Sequence, residues 1–200
     1  MSEVRMPMQK RSIEKRNKII ELGFSLMCNQ GYFNTNTNDI AKYAGVSTGI
    51  VYQYFNDKKE IFIEGVKIYS DNIMFPIIDV LKKRKIDFNN MKDMLSEMLE
   101  VFTTKHTLSK KAHEEMMALS HLDDDVAKIF HDKEIMTTEM IVSTLNSYGI
   151  KQYNLFEKVH IIIGIVENYC HEIVYHHHDK VNYNVMKDEV IKIIISILKG

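Results

Sequence analysis

The helical plan of the chain is clearest in residues 35–62, which read TNTNDIAKYAGVSTGIVYQYFNDKKEIF. A first short helix is predicted to end at Ala44, because the following Gly45 can adopt the positive φ that helix C-termini favour. Ser47 is predicted to cap a second short helix over residues 48–54. Two short helices joined by a tight glycine turn form a unit that can place its second helix in the major groove of DNA.

Polar residues mark the starts of the neighbouring helices. Thr35 is predicted to cap the first helix through its hydroxyl. Asp57 is predicted to cap a third helix, with Glu60 as its partner in a capping box. Ala41 and Ala44 are predicted to face inward, where their small side chains let the first two helices cross closely.

Residues 16–62 resemble the DNA-binding domain of the tetracycline-repressor (TetR) family. The matching positions are Arg16, Ile19, Ile20, Gly31, Tyr32, Thr35, Asp39, Ile40, Ala41, Ala44, Gly45, Val46, Ser47, Gly49, Tyr52, Tyr54, Phe55, Lys58, Glu60 and Phe62. The resemblance implies an all-α fold of about nine helices. A three-helix helix-turn-helix domain would occupy residues 1–60, and a larger helical domain for effector binding and dimerisation would occupy residues 61–200. Gly23 stands where the family usually has Ala, and we expect it to loosen helix 1 slightly.

Composition independently favours a helical protein. The chain has 200 residues with only two prolines and eight glycines. Its apolar runs fall short of the roughly 18 residues of a membrane span, and its first residues lack the apolar core of a secretion signal. Cys28 and Cys170 are therefore expected to be free thiols in the reducing cytoplasm. Residues 1–60 carry nine Lys/Arg against six Asp/Glu, whereas the rest carries seventeen against twenty-one, which suits a basic DNA-binding end.

Hydrophobic periodicity extends the helical prediction along the chain. Helix 1 is predicted over 12–30, with Ile13, Ile20, Phe24 and Met27 inward. The later helices are predicted over about 58–83, 88–105 with Asp87 as cap, 109–120, 123–147, 153–178 and 184–199.

The second helix of the glycine-turn unit offers side chains suited to reading base pairs. Thr48 can bond a base or a phosphate, Ile50 can pack on a thymine methyl, and Gln53 can pair with adenine, while Gly49 allows close backbone approach. The resemblance implies that several neighbouring side chains contact phosphates. The alternative is that each is an ordinary solvated side chain, or, in the case of Tyr52, a residue of the core. The predicted DNA-binding set is Thr35, Asn36, Thr37, Ser47, Thr48, Gly49, Ile50, Tyr52, Gln53, Tyr54 and Lys58.

Methionines and aromatic residues are concentrated in helices 5 to 7, which enclose the effector pocket in the family. Flexible thioethers suit an adaptable apolar cavity, although a methionine-rich core without a ligand is the alternative. His160, Glu167, His171 and Tyr175 share a face of helix 8, roughly opposite its apolar stripe, as either a polar pocket wall or a solvated stripe. The predicted pocket residues are Met94, Met98, Phe102, Met116, Met117, Phe130, Met136, Met140, Glu167 and His171.

Helix 8 carries an apolar stripe with alternating steps of three and four residues, and helix 9 is apolar on more than one side. The resemblance implies that these two helices pair with a second subunit, whereas the alternative is that helix 9 completes the core of its own chain. The predicted dimer interface is Phe156, Val159, Ile163, Val166, Cys170, Ile173, Ile194 and Ile197.

Two stretches of the sequence resemble enzyme motifs but lack the context that those motifs require. Residues 45–49 match the Gly-x-Ser-x-Gly elbow of hydrolases, but that elbow needs a preceding strand, and here a helix is predicted. His171 and His176 are five residues apart, which puts them on different sides of a helix and disfavours a shared metal.

We therefore expect a cytoplasmic, homodimeric transcriptional regulator, a repressor that a small molecule releases from a palindromic operator. Its expected partners are double-stranded operator DNA, a second copy of the chain and an apolar or amphipathic effector. We expect no catalytic residues, metal, cofactor or membrane partner. The alternative is a DNA-binding regulator without an effector.

Overall fold

The computed structural model describes residues 9–83, 90–106 and 108–199, and within these ranges it contains nine α-helices and no strands. The predicted all-α fold is confirmed. The helices are α1 (Lys10–Gln30), α2 (Thr37–Ala44), α3 (Thr48–Tyr54), α4 (Lys58–Lys83), α5 (Met91–Lys105), α6 (Lys110–Leu122), α7 (Asp124–Ser147), α8 (Leu155–Val174) and α9 (Tyr183–Lys199).

The predicted helix boundaries are close to those observed, except that helix 8 ends four residues earlier than predicted, at Val174 rather than residue 178. Ile13 was expected on the inward face of α1 but is 41% exposed, since the buried stripe begins only at Ile19. Asp87, the predicted cap of α5, lies outside the described residues. None of the helices in the described ranges is both long enough and apolar enough to cross a bilayer.

The chain divides into two compact units. Unit 1 comprises Met1–Tyr69 and Leu108–Phe130, and unit 2 comprises Ser70–Thr107 and His131–Gly200. This division differs from the predicted single boundary at residue 60 because α6 packs against α1 and so joins unit 1. The functional boundary at residue 60 stays a prediction.

Close helix packing in unit 1 explains Gly23. A Cβ at this position would lie 2.8 Å from Cγ2 of Ile61 and 3.0 Å from Cγ2 of Ile40. Both isoleucines are fully buried, so neither can move aside cheaply. Gly23 is therefore a close contact point between α1 and its neighbours, and the expectation of a slightly loosened α1 stays a prediction.

The turn between α2 and α3 has the predicted glycine geometry. Gly45 has φ 68° and ψ 36°, the left-handed conformation, and its N–H donates to Lys42 while the N–H of Val46 donates to Ala41. The cap of α2 is Asn36 rather than Thr35. The Asn36 side chain accepts from the N–H groups of residues 38 and 39, while the Thr35 hydroxyl donates to the Gly31 carbonyl and is buried.

Unit 2 is built on the packing of α8 with α5 and α9. Val159, Ile163 and Cys170 on α8 are buried in this core, as is Ile194 on α9. The three buried residues of the heptad-like stripe of α8 therefore face helices of their own chain.

The Gly45 conformation gives a stability prediction. Gly45→Ala is expected to destabilise unit 1 by about 1–2 kcal/mol, because a β-carbon is disfavoured in the left-handed region. The cost is in the backbone, since the nearest atom to an added Cβ is Nζ of Lys18 at 4.0 Å. Gly49→Ala is the control, because a Cβ there meets open space at a helical position, and it should keep or raise the melting temperature. Equal melting temperatures for the two variants would contradict the assignment.

Candidate nucleic-acid interface and ligand cavity

The outward side of α3 is polar and accessible. Val51 and Tyr54 face the core of unit 1, and the predicted base-reading residues lie on the remaining sides of this two-turn helix. We call this set the reading surface: Ser47, Thr48, Gly49, Ile50, Tyr52 and Gln53. Among its members, Ser47, Gly49, Tyr52 and Gln53 are exposed, and Thr48 and Ile50 are half-buried.

Asn38 on α2 orients one member of the reading surface. The Thr48 hydroxyl donates to Oδ1 of Asn38 at 2.9 Å. With its proton directed to Asn38, this hydroxyl presents lone pairs outward and can accept from an amino group of adenine or cytosine. Sequence reasoning missed Asn38, because the contact joins residues ten positions apart across the turn.

The N-terminus of α2 is a poorer phosphate site than predicted. Oδ1 of Asn36 accepts from the N–H groups of Asn38 and Asp39 at 2.9 and 3.1 Å, and the Asp39 carboxylate accepts from Asn36 N–H at 3.0 Å. These donors are already bonded and a carboxylate stands beside them. Thr35 is buried and Thr37 is half-buried, so the Thr35 hydroxyl is unavailable to DNA.

Lys58 and Tyr54 are predicted to contact phosphates, but in the structure both are engaged within the protein. The Lys58 ammonium donates to the carbonyls of Tyr32 at 2.6 Å and Thr35 at 2.8 Å, and it lies 4.4 Å from the centroid of the Tyr32 ring. Burial lowers the pKa of Lys58. Tyr54 is 7% exposed. Lys58 ties the start of α4 to the α1–α2 turn, and Tyr54 belongs to the core.

Basic groups around the reading surface come instead from α1 and α2. Lys18 and Lys42 are exposed, and Nζ of Lys18 lies near the turn at Gly45. Arg16 differs, because its guanidinium pairs with Glu64 at 3.0 Å and lies over the Phe55 ring. Lys18 and Lys42 are therefore the better candidates for phosphate contacts.

Helix α6 supports the region that carries the reading surface. Oε1 of Glu115 accepts from Tyr32 N–H at 2.6 Å, at the start of the α1–α2 turn. Lys59 at the start of α4 pairs with Asp123 at 2.8 Å and Asp125 at 2.6 Å, just after α6 ends. These contacts place residues far along the chain within the unit that carries α3.

Unit 2 contains a largely apolar cavity of about 540 Å³, its mouth included. Helices α5, α7, α8 and α9 contribute to its wall. The lining residues are Leu95, Met98, Leu99, Phe102, Thr137, Ile141, Ile162, Ile163, Val166, Glu167 and Ile194.

The cavity shares three residues with the predicted effector pocket, namely Met98, Phe102 and Glu167. Four predicted residues of unit 2 lie outside this lining: Met94 is buried, Met136 is exposed, Met140 is half-buried, and His171 packs against the rings of His106 and Tyr175. The other three belong to unit 1: Met116 and Met117 lie on α6, which packs on α1, and Phe130 lies on α7. The amino-acid composition of a helix does not indicate which unit it joins, so methionines of both units were predicted to line one pocket.

Glu167 is the ionisable residue among those that line this apolar wall. It follows Ile163 by four residues and lines the same cavity, so the expectation that it lies opposite the apolar stripe of α8 is wrong. Burial and, to a smaller extent, the neighbouring charge of Glu134 together raise the pKa of Glu167 to about 7. His171 is neutral at pH 7, since burial and the nearby His106 and His176 lower its pKa to about 4.

The predicted dimer residues occupy two different environments. Val159, Ile163, Cys170 and Ile194 are buried inside the single chain, so they cannot form a surface for a second copy, and this part of the prediction is corrected. Val166, Ile173 and Ile197 are half-buried, and Phe156 is exposed. Exposed aliphatic residues lie on other sides of these helices, with Ile161 56% exposed on α8 and Ile193 46% exposed on α9.

The structure shows the surroundings of both enzyme-like motifs. The backbone before Ser47 is the helix α2 and its glycine turn, rather than the strand that a nucleophile elbow requires. Across residues 9–83, 90–106 and 108–199, no three His, Cys, Asp or Glu side chains cluster as a metal site would need.

Comparison with known proteins identifies the N-terminal part of the chain. Residues 19–64 match the family model of bacterial regulatory proteins of the tetR family. The HTH-type transcriptional regulator HbdR of Aromatoleum sp. (strain CIB) is 44% identical over 54 residues, covering 27% of this chain and 24% of HbdR. The aligned part of the chain thus spans about a quarter of the length of that relative.

Solved structures resemble the chain over nearly its whole length. A TetR-family protein from Mesorhizobium loti MAFF303099 superimposes with a TM-score of 0.71 at 17% identity, covering 96% of both chains. A transcriptional regulator from Saccharomonospora viridis in complex with choline gives a TM-score of 0.67 at 16% identity, covering 91% of this chain and 96% of that one. At such identities the likeness establishes a common fold.

The Lys58 contacts give a second stability prediction. Lys58→Met keeps the aliphatic stem but removes the ammonium that bonds two carbonyls, and it is expected to destabilise the protein by about 1–2 kcal/mol. Lys42→Met, on an exposed lysine of the same unit, is the control and should change stability by less than about 0.5 kcal/mol. Urea denaturation measures both. A Lys58→Met variant as stable as its control would show that Lys58 has no structural role.

Proposed function

We propose that this chain, whose residues 19–64 match the family model of bacterial regulatory proteins of the tetR family, is a cytoplasmic DNA-binding transcriptional regulator of that family and not an enzyme. It acts as a homodimer and represses transcription from a palindromic operator until a small molecule releases it. The observation that carries this proposal is the outward, polar reading surface of α3, held beyond the left-handed turn at Gly45.

The reading surface suits the major groove. Gln53 is exposed and can make paired hydrogen bonds with adenine, Thr48 can accept from a base amino group, and Ile50 can contact a thymine methyl. The absence of a side chain at Gly49 permits close backbone approach. Lys18 and Lys42 would contribute phosphate contacts, which fix the position on DNA without reading its sequence.

A second copy of the chain would supply the second half-site contact of a palindrome. The exposed sides of α8 and α9, marked by Ile161 and Ile193, support a dimer interface at these helices. The buried stripe through Val159 and Ile163 then serves the core of each subunit.

The cavity of unit 2 supports a small-molecule effector. Its wall is apolar, as the walls of ligand pockets predominantly are. The structural relative that binds choline is a regulator with a bound small molecule. An effector that binds the DNA-free form more tightly must lower DNA affinity by the same factor, since coupling between two sites is reciprocal.

Replacing Gln53 tests the reading surface. Gln53→Ala is expected to relax selection at one base pair of each half-site, losing about 1–3 kcal/mol of discrimination there. Lys18→Ala is the matched comparison, and it should weaken binding about equally at all sequences and reduce the salt slope by about one. Selection from a randomised duplex library measures both. An unchanged preference in Gln53→Ala would remove this residue from base recognition.

The dimer surface is tested by charged substitutions on exposed positions. Ile161→Asp and Ile193→Asp are expected to give folded monomers, because a buried unpaired carboxylate at the interface is costly. Ile68→Asp, on a comparably exposed isoleucine of α4, is the control and should remain dimeric. Light scattering after size exclusion gives the mass. Dimers that persist in both α8 and α9 variants would place the interface elsewhere.

A further inference from the structure

The side chains of Asn38 and Thr48 join α2 to the reading surface. The Thr48 hydroxyl donates to Oδ1 of Asn38 at 2.9 Å, and one residue precedes the glycine turn while the other follows it. Thr48 opens α3, and the first residues of a recognition helix are those that meet base edges in the major groove. Asn38 therefore reaches the same place from a second helix.

This hydrogen bond sets the polarity of the Thr48 hydroxyl. A hydroxyl has one proton and two lone pairs, so a proton that is committed to Asn38 leaves only acceptor capacity for a partner outside the protein. A base satisfies that capacity with an amino group. In the major groove adenine and cytosine present an amino group, whereas guanine and thymine present acceptors.

The amide nitrogen of Asn38 is available beside that hydroxyl. Asn38 is exposed, and its Nδ2 has no hydrogen-bond partner within residues 9–83, 90–106 and 108–199. Because Nδ2 and Oδ1 share one carbon atom, the two N–H donors of the amide stay next to the Thr48 hydroxyl. The pair thus offers a hydrogen-bond acceptor and a hydrogen-bond donor side by side.

We propose, building on the proposed function, that Asn38 and Thr48 together read one adenine in each half-site. Oγ1 of Thr48 accepts from the N6 amino group, and Nδ2 of Asn38 donates to N7. A single asparagine or glutamine side chain recognises adenine through the same two atoms of the base. Here the acceptor and the donor come from two helices, and the hydrogen bond between them holds both in position.

The other three bases match the pair less well. Cytosine supplies an amino group but has no major-groove acceptor comparable to N7, so it would use Thr48 alone. Guanine and thymine would place a carbonyl oxygen against the lone pairs of Thr48, and a favourable contact would require the hydroxyl to turn away from Asn38. The expected order of preference at this position is adenine, then cytosine, then guanine and thymine.

Selection from a randomised duplex library, with the full chain and two variants, tests the pair. Asn38→Asp keeps an acceptor for the Thr48 hydroxyl and removes the donor to N7, so the preference for adenine over cytosine should fall about tenfold while guanine and thymine stay disfavoured. Thr48→Val removes the group that accepts from N6, so guanine and thymine should become about tenfold less disfavoured at the same position.

Asn29→Asp is the matched control for the added charge, since it changes an exposed asparagine of α1 in the same unit. It should lower affinity slightly at every sequence, because a carboxylate repels phosphates, and leave all base preferences unchanged. Melting temperatures are measured beside binding. Asn38 is exposed, and the cap of α2 on its backbone N–H does not involve its side chain, so the Asn38 variants should remain folded.

A double-mutant cycle tests whether the two side chains act as a unit. Asn38→Ala and Thr48→Val should each weaken binding to the selected duplex about tenfold. The double variant should lose less than the product of the two single losses, because each side chain holds the other in its reading position. Fluorescence anisotropy with the selected duplex measures all four proteins. Losses that multiply would contradict a shared role.

Three further results would contradict the proposal in different ways. Selective DNA binding with base preferences that neither Asn38→Asp nor Thr48→Val changes would overturn the pair and leave the regulator intact. A loss in Asn38→Asp that exceeds the control but is equal at all sequences would assign the amide to a phosphate and also overturn the pair. The absence of selective binding to any duplex by the unmodified chain would overturn the regulator, and the adenine contact with it.

Discussion

The left-handed backbone at Gly45 is the constraint on which the candidate interface depends. At Gly45, with φ 68°, the chain leaves α2, and α3 begins three residues later at Thr48. The reversal sets which sides of α3 are buried, with Val51 and Tyr54 in the core and Gln53 outside. Because α3 has under two full turns, a change in its start would exchange buried and exposed residues across the whole helix. Local backbone geometry therefore determines the chemistry offered to DNA.

Polar groups in unit 1 fall into two kinds that sequence alone does not distinguish. The side chains of Lys58, Glu115 and Asn36 hydrogen-bond to the backbone of the α1–α2 turn and of the start of α2. Gln53 and Lys18 remain exposed. A substitution of a residue that is bonded within unit 1 would alter DNA binding by changing the structure that supports α3. A substitution of an exposed residue would act on the contact with DNA itself. Stability must therefore be measured beside every DNA-binding defect.

Local patterns in the sequence were sufficient for the helices and the turn, because caps, glycine and apolar periodicity are properties of neighbouring residues. They failed where a contact joins distant residues. The stripe through Ile163 indicated a buried face of α8, but periodicity cannot tell whether the cover is the same chain or a second copy. Met116 resembled the methionines of α5 in type, yet α6 packs on α1.

The most direct test of the central claim is a titration of the full chain with duplexes that tile the promoter region of its own gene, followed by fluorescence anisotropy at about 50 mM salt, where electrostatic contacts are strong. Two chains are expected to bind one duplex of approximate two-fold symmetry far more tightly than a random duplex of equal length, with affinity that falls as salt is raised. Equal binding of all the duplexes, or none, would contradict the assignment of α3 as the surface that reads DNA.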